Sequence, residues 1–424
     1  MSKDQLVKRV LALESQMTQP LPDTHYPYKQ KNKPGRPFDM NKYGQRRVAF
    51  KVAYLGWNYL GFASQNDPIT TPTVEDELFK AFKAACLMHP TPEKAQFSRC
   101  GRTDRGVSGL GQVISLNVRS TMANGKEIPY LETINRLLPD DIRVLAWAPV
   151  SDTFNARFDC RSRTYKYFFP KHTLNIERMK ETAYHFIGSH DFRNFCKLDP
   201  SKNITNYHRT ILSLDIQPVL GLDTSGVGLN TEFYEVKLKG TAFLWHQVRC
   251  MMSILFLVGQ GLESPEIVKK LMDVETIQAR PDYPMASDLP LLLYDCEFEN
   301  IDWIYASDNH NASSAIPTPL KTYKHMREQW SEQMTRSLMY QTFMSSMTGM
   351  PITKRDMSIS SLEDYIQSDE AEDRQSAVAV VLGGGKEIRT SRYKPLVIRP
   401  RADTDAVKKE KYKIRLQKKA LGLL

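Results

Sequence analysis

Ser98-Arg99-Cys100-Gly101-Arg102-Thr103-Asp104-Arg105-Gly106-Val107-Ser108-Gly109 is the stretch that decides how the chain is read. It follows residues with helical spacing and runs into an alternating segment, Gln112 to Val118, so it is a loop feeding a strand. One acid, Asp104, lies between Arg102 and Arg105, with Gly101 and Gly106 on either side. Nearby guanidinium groups favour the charged carboxylate, and glycines let a bulky polyanion approach the backbone. A plain Asp-Arg-Gly turn would use the same residues, with the carboxylate bonded to its own backbone. Three arginines around one acid are more than such a turn needs.

Working outward, Val48, Phe50, Val52 and Tyr54 alternate as in a half-buried strand, followed by the Gly56–Phe62 loop of glycines and aromatics. Thr73 with Asp76 marks a helix start, and Val74, Leu78, Phe82 and Ala85 form one helical face. Beyond the opening loop, a helix is expected over Tyr130 to Leu138, a turn at Pro139-Asp140-Asp141 and a strand from Ile142 to Trp147. Strand, helix, strand, helix, strand is the order of an α+β layer with helices on one sheet face.

A second alternation of similar length follows. In Arg163-Thr164-Tyr165-Lys166-Tyr167-Phe168-Phe169, basic and aromatic residues interleave along a strand. Such a surface suits nucleic acid, with cations on phosphates and rings on bases. Tyr167 and Phe169 are read instead as core residues, while Tyr165 fits either role. A helix over Asn175 to Ile187 closes at Gly188, and strands are expected at Thr210–Ile216 and Phe233–Lys239. Phe243 to Gly259 reads as a buried helix in which Arg249 is anomalous, because an unpaired guanidinium is costly to bury. Arg249 either snorkels to water from the helix start or reaches an acid in a cleft, Asp104 being one such acid. His246 is read as a packing or hydrogen-bonding residue. A short helix over Ile267–Val274 and a last strand, Leu289–Phe298, complete two halves, residues 48–150 and 151–300.

The flanks differ in character. Leu6, Val10, Leu13 and Met17 have heptad spacing, and Pro20–Arg47 reads as a basic, unstructured linker. After Ile301 the chain turns polar, with a long helix expected around Thr322–Met347, a loose acidic stretch over Asp356–Gln375 and a basic tail over Lys408–Lys419. That tail is a solvated end, a further RNA contact or a localisation signal. Gly383-Gly384-Gly385-Lys386 lacks P-loop spacing. With 424 residues, 41% hydrophobic and 25% charged, the composition is that of an ordinary soluble protein, and a net charge of +10 favours a polyanionic partner. Six cysteines are scattered singly without zinc-ligand spacing, and no secretory leader is visible. Reduced thiols in the cytoplasm or nucleus, no structural metal and no membrane role are expected.

Gly101-Arg102-Thr103-Asp104-Arg105-Gly106-Val107 resembles the active-site signature of the TruA-type tRNA pseudouridine synthases. Four further blocks agree in order between Val48 and Phe298: Tyr54-x-Gly56 through Tyr59-x-Gly61 to Gln65; Asn155-Ala156-Arg157-Phe158 with Arg163-x-Tyr165-x-Tyr167; Gly188-x-His190-Asp191-Phe192; and Phe243-Leu244 with Val248-Arg249. Phe62-Ala63-Ser64-Gln65, Ser98-Arg99-Cys100 and Phe192–Lys197 resemble most the eukaryotic members that modify uridines 38 and 39 of the tRNA anticodon stem-loop. Ser108-Gly109 departs from the His-Ala of bacterial members and the Ser-Ala usual in eukaryotic ones.

The resemblance implies two α+β lobes sharing an extended mixed sheet, with flanking helices and the catalytic cleft between them. It implies a homodimer acting on tRNA without cofactor or metal. Asp104 corresponds to the catalytic acid, Arg102 to the residue filling the space left by a flipped uridine, Tyr165 to the ring stacking on that base, and Arg249 to the partner of the acid. Arg105, Arg163 and Lys166 are weaker candidates for RNA contact. Two rivals stand beside this reading. One is a non-catalytic tRNA-binding or folding protein on the same scaffold. The other is a hydrolase needing a second carboxylate, for which Asp159 or Asp191 would have to serve.

Overall fold

The computed structural model describes residues 38–65, 70–121, 127–202, 204–221, 232–305, 318–348 and 377–421. Its centre is a nine-stranded mixed sheet formed by β1 (Gln45–Tyr54), β2 (Ser98–Arg99), β3 (Ser108–Arg119), β4 (Ile142–Pro149), β5 (Cys160–Pro170), β6 (Gly188–Asp191), β7 (His208–Pro218), β8 (Phe233–Gly240) and β9 (Leu291–Phe298). The spatial order is β4-β1-β3-β9-β5-β8-β7-β6, with β2 paired to β3. Every pairing in this sheet is antiparallel except one. β3 runs parallel to β9 through only two residue pairs, Ser108 with Leu292 and Gly109 with Leu293. This short seam joins the first-half strands to those of the second half, and it begins four residues after Asp104.

Helices cover the sheet where the apolar periodicity placed them. In the first half, α1 (Val74–Ala84) starts at Thr73, whose side chain accepts from the Asp76 amide, and carries three acids in its first turn. Its Val74, Leu78 and Phe82 pack with Phe50, Leu116 and α2 (Tyr130–Asn135) in one buried cluster. In the second half, α3 (Ile176–Tyr184), capped by Asn175, and α4 (Gln247–Gly259) lie against β5, β7 and β8. α4 is apolar nearly all round and buried along almost its whole length, as a core helix should be. Tyr167 and Phe169 are core residues, each 1% exposed. α5 (Ile267–Met272) closes this half.

Several boundaries move. β1 begins at Gln45, so the end of the expected linker is structured, and Arg47 is only 5% exposed. Its guanidinium donates to Phe154 O (2.6 Å), Gln96 O (3.1 Å), Asn117 Oδ1 (3.3 Å) and Ser115 Oγ (3.1 Å). α4 starts at Gln247 rather than Phe243 because His246 adopts a left-handed backbone, φ 64°, which helix cannot propagate through. Beyond β9, α6 (Thr318–Thr348) is the expected long helix. The Gly383–Gly385 stretch is the turn of a hairpin, β10 (Val378–Gly383) with β11 (Lys386–Thr390), all three glycines having positive φ. The basic tail forms α7 (Asp405–Ala420). The heptad segment at residues 6–17 and the acidic stretch at 356–375 lie outside the described residues. No helix among the described residues is long and apolar enough to cross a membrane.

Replacing Arg47 by Met strands four acceptors in a dry interior, so the variant is expected to lose roughly 2–4 kcal/mol. Urea unfolding followed by circular dichroism checks this. The midpoint should fall with an unchanged slope, and an unchanged midpoint would show that Arg47 is a solvated linker residue after all.

Candidate active site

The loop before β3 is held rigidly at both ends. Gln112 donates to Gly101 O (3.0 Å) and accepts from Gly101 N (3.3 Å), and Cys100 N donates to Val113 O (2.8 Å). Thr103 shares a 2.9 Å hydrogen bond with the buried Tyr54 hydroxyl, and Thr103 O accepts from Phe62 N. Gly109 lies opposite Tyr54, and a Cβ there would meet the Tyr54 ring at 2.6 Å. The Ser108-Gly109 departure thus has a local use: Gly109 leaves room for Tyr54, and Ser108 Oγ accepts from Gly56 N at 3.0 Å. Gly106, φ +77°, allows the turn that exposes Asp104; a Cβ on it would strike Asp288 Oδ2 at 2.5 Å.

Asp104 faces the start of α4. His246 Nε2 is 3.5 Å from Asp104 Oδ1, and the Trp245 ring stacks on His246 with centroids 4.3 Å apart. Burial pushes the Asp104 carboxyl up to about 6; Arg249 and hydrogen bonding from Trp245 pull it down, Asp288 pushes it up and Lys197 pulls it down. Burial, reinforced by Arg249, Lys197 and Arg280, drives His246 down to about 3. At neutral pH the imidazole is therefore uncharged, and its contact with Asp104 is not an ion pair. Its Nδ1 is buried without a hydrogen-bond partner among the described residues.

Arg249 is neither snorkelled into water nor closed onto Asp104 alone. Its Nε donates to Ala286 O at 2.7 Å and its Nη2 lies 3.9 Å from Asp288 Oδ1, so the guanidinium sits in the field of two carboxylates. Tyr165 is partly buried, edge-on to Phe243 (5.1 Å, 86°), and burial raises its phenol well above the usual range, with Asp104 among the contributing charges. Asp104, Tyr165 and Arg249 are thus brought into one neighbourhood. Arg102 and Arg105 are exposed on either side of the acid.

Arg163 and Lys166 are engaged within the fold. Arg163 donates to the carbonyls of Thr241 (2.6 Å), Arg157 (2.9 Å), Cys100 (3.1 Å) and Cys160 (3.3 Å), which ties the Asp104 loop to β5. Lys166 bonds both oxygens of Glu235 (2.9 and 2.8 Å) and lies 4.6 Å from the Tyr294 ring centroid. Asp159 accepts from Asn155 N, and Asp191 pairs with Arg193 at 2.6 Å, so both have structural partners. The residues that sequence reasoning missed are Asp288, Trp245 and Lys197. Asp288 stands in an irregular segment before β9, where neither periodicity nor a motif marks it.

Comparison with known proteins places the chain in a family. A family profile described as tRNA pseudouridine synthase matches residues 182–299. A Bos taurus protein named tRNA pseudouridine(38/39) synthase is 48% identical over 291 residues, which cover 64% of this chain and 60% of that one. A Saccharomyces cerevisiae protein of the same name is 46% identical over 328 residues, covering 71% and 72%. The chain belongs to the tRNA pseudouridine synthase family. It spans about three-fifths of the bovine relative's length. Among solved structures, a Cbf5-Nop10-Gar1 complex is similar at 10% identity and a TM-score of 0.23 over 51% of this chain and 45% of that one, too distant to bear on the site.

The carboxyl of Asp104 is expected to titrate near 6 in carbon-13 spectra of protein labelled at aspartate Cγ, assigned by difference from Asp104→Asn. In Arg249→Gln the same resonance should titrate at higher pH, because a charge that favours the anion has gone. A midpoint at the ordinary aspartate value in both proteins would show that Asp104 is solvated.

Proposed function

We propose that this chain isomerises uridine to pseudouridine in the tRNA anticodon stem-loop, at positions 38 and 39, with Asp104 as the catalytic acid. The observation that carries the reading is a half-buried carboxylate, ionised at neutral pH but raised to about 6, between exposed arginines and a partly buried tyrosine. The reaction detaches uracil from C1′, rotates it and rejoins it through C5. The product is an isomer, so nothing is oxidised and nothing is lost. One carboxylate is sufficient, either attacking C1′ as a nucleophile or removing a sugar proton as a base. Both routes require Asp104 to be ionised, and with a pKa of about 6 roughly nine-tenths of it is charged at pH 7.

A stacked uridine must leave its helix first, at a cost of a few kcal/mol. Arg102, exposed two residues before the acid, has the reach and charge to fill the vacated place. Tyr165, kept neutral by burial, offers a ring face against which the freed uracil can turn without escaping. Arg249 holds the carboxylate in its charged form and is itself fixed through Ala286. Trp245, 46% exposed beside Asp104, adds an aromatic surface at the mouth of the site. Arg105 and the basic helix α7 supply positive charge for the phosphate backbone.

We also infer that the chain acts as a homodimer. α6 presents Tyr323, Trp330, Met334 and Leu338 to solvent along one stripe, an apolar surface that an isolated helix does not sustain in water. A second copy of the same helix covers it in an isologous arrangement.

Asp104→Asn should lower pseudouridine formation at positions 38 and 39 by about 10²–10⁴-fold or more while leaving tRNA affinity within a few-fold of wild type. Retained conversion would remove Asp104 from the reaction. Absence of conversion by the wild type would favour the non-catalytic tRNA-binding reading, and release of free uracil by the wild type would favour the hydrolase. The wild-type rate should fall tenfold per pH unit below about 6, because protonation removes the reacting anion. Trp330→Glu with Leu338→Glu should convert a dimer into a monomer in light scattering after size exclusion. A wild-type chain that is monomeric at micromolar concentration would end the dimer reading.

A further inference from the structure

Three cysteines that are far apart in the chain meet behind the catalytic loop. Cys100 precedes the loop, Cys160 opens β5 and Cys296 lies near the end of β9. Their Sγ atoms all lie within 4.8 Å of one another, and the residues are 2%, 8% and 5% exposed. Ala49, Val113, Phe154, Ala156 and Leu293 surround them in an apolar cluster. No fourth His, Cys, Asp or Glu belongs to the group among the described residues.

We propose that these thiols form a binding site for Zn²⁺, which fastens the catalytic loop to the two strands on its far side. A d¹⁰ ion with bonds of about 2.3 Å to thiolate holds its sulfur ligands roughly 3.8–4.0 Å apart, a spacing the observed separation accommodates. Soft donors in a dry apolar shell select thiophilic cations over magnesium or calcium. Charge favours zinc over a monovalent ion. Three thiolates and Zn²⁺ sum to −1, and Arg163, bonded to the carbonyls of both Cys100 and Cys160, brings the assembly to zero. Cys160 Sγ lies 3.2 Å from Ser162 O as a thiol donor; on binding, each remaining S–H proton passes to solvent and that interaction is replaced by the metal bond. The fourth position falls to a neutral oxygen. Cys86, Cys196 and Cys250 take no part.

The site joins three separate segments, so it contributes where the sheet is weakest, at the seam between β3 and β9. It is independent of the reaction assigned to Asp104, and metal content reads it without an activity assay.

The test uses full-length protein purified under reductant without chelator, with metals measured by mass spectrometry. About one zinc per chain is expected as purified or after incubation with Zn²⁺ and desalting, against less than about 0.1 in Cys160→Ser and Cys296→Ser. Cys86→Ser should keep its zinc. Should the site variants fail to fold, titration of wild type with Cd²⁺ decides: thiolate-to-cadmium absorbance should saturate at one equivalent with the intensity of three thiolates. Zinc-free protein after incubation, an intensity corresponding to one or two thiolates, or exclusive retention of copper when Zn²⁺ and Cu⁺ are both supplied would each overturn the proposal.

Discussion

The structure depends on two residue pairs. Ser108 with Leu292 and Gly109 with Leu293 form the only parallel pairing among the described strands of this sheet, and they join β3 to β9. A parallel ladder this short contributes little by itself, since its hydrogen bonds are slanted and few. It is held by what crosses it. Gly111 lets the backbone come against Asp295, where a Cβ would meet the Asp295 Cα at 2.6 Å. Lys51 of β1 pairs with Asp295 at 2.9 Å, and Arg163 reaches from β5 to Cys100. The loop bearing Asp104 leaves the sheet at this junction, so the acid belongs to the first half while the groups that tune it belong to the second. Neither half alone makes the site.

That division explains the electrostatics. Burial raises the Asp104 carboxyl and so favours its protonated form. Arg249, Lys197 and the Trp245 side chain oppose it, all three contributed by the second half. Asp288 works against them, yet it also shares the Arg249 guanidinium and abuts Gly106. The result is a carboxylate close to the edge of ionisation, more basic than a solvated aspartate and still charged at neutral pH. His246 contributes without charge. Its low basicity keeps a second cation from stabilising the anion further, and its left-handed backbone turns the chain so that α4 points its first turn at the loop.

Much of the α+β pattern was legible because it is periodic. β5 alternates in burial and α1 shows a clean apolar face behind a capping Thr73, so there local physics and tertiary packing agree. β1 and β3 alternate in sequence but are buried on both faces, because the small Ala49 and Ala53 and the polar Gln112 and Ser115 are covered as well. Asp104, Tyr165 and Arg249 were legible as chemical anomalies: an acid among arginines, rings among cations, a guanidinium in an apolar helix. Asp288 and the convergence of Cys100, Cys160 and Cys296 carry no local signal, because each depends on strands brought together from opposite ends of the chain. The internal partners of Arg163 and Lys166 were illegible for a related reason. A basic residue on a strand looks the same whether it faces phosphate or, as here, carbonyl groups and a buried glutamate.

The hairpin β10–β11 shows how far the site's foundations extend. Tyr167 is buried in β5, two residues from Tyr165, and its hydroxyl donates to Ser287 O at 3.0 Å and Leu382 O at 3.2 Å. Ser287 N donates in turn to Leu382 O at 2.7 Å, so β10 grips the residue immediately before Asp288. Gly383 is required there, since a Cβ would collide with the Tyr167 hydroxyl. Gln260, just past α4, closes the circuit through Ala379 O (2.7 Å) and Val381 N (2.9 Å). The end of α4, the Asp288 segment and the strand carrying Tyr165 are thus fastened by residues nearly three hundred positions from Asp104. The glycine run that resembled a failed phosphate loop is a clamp on the wall of the candidate site, and its lack of side chains is what lets it pack so near.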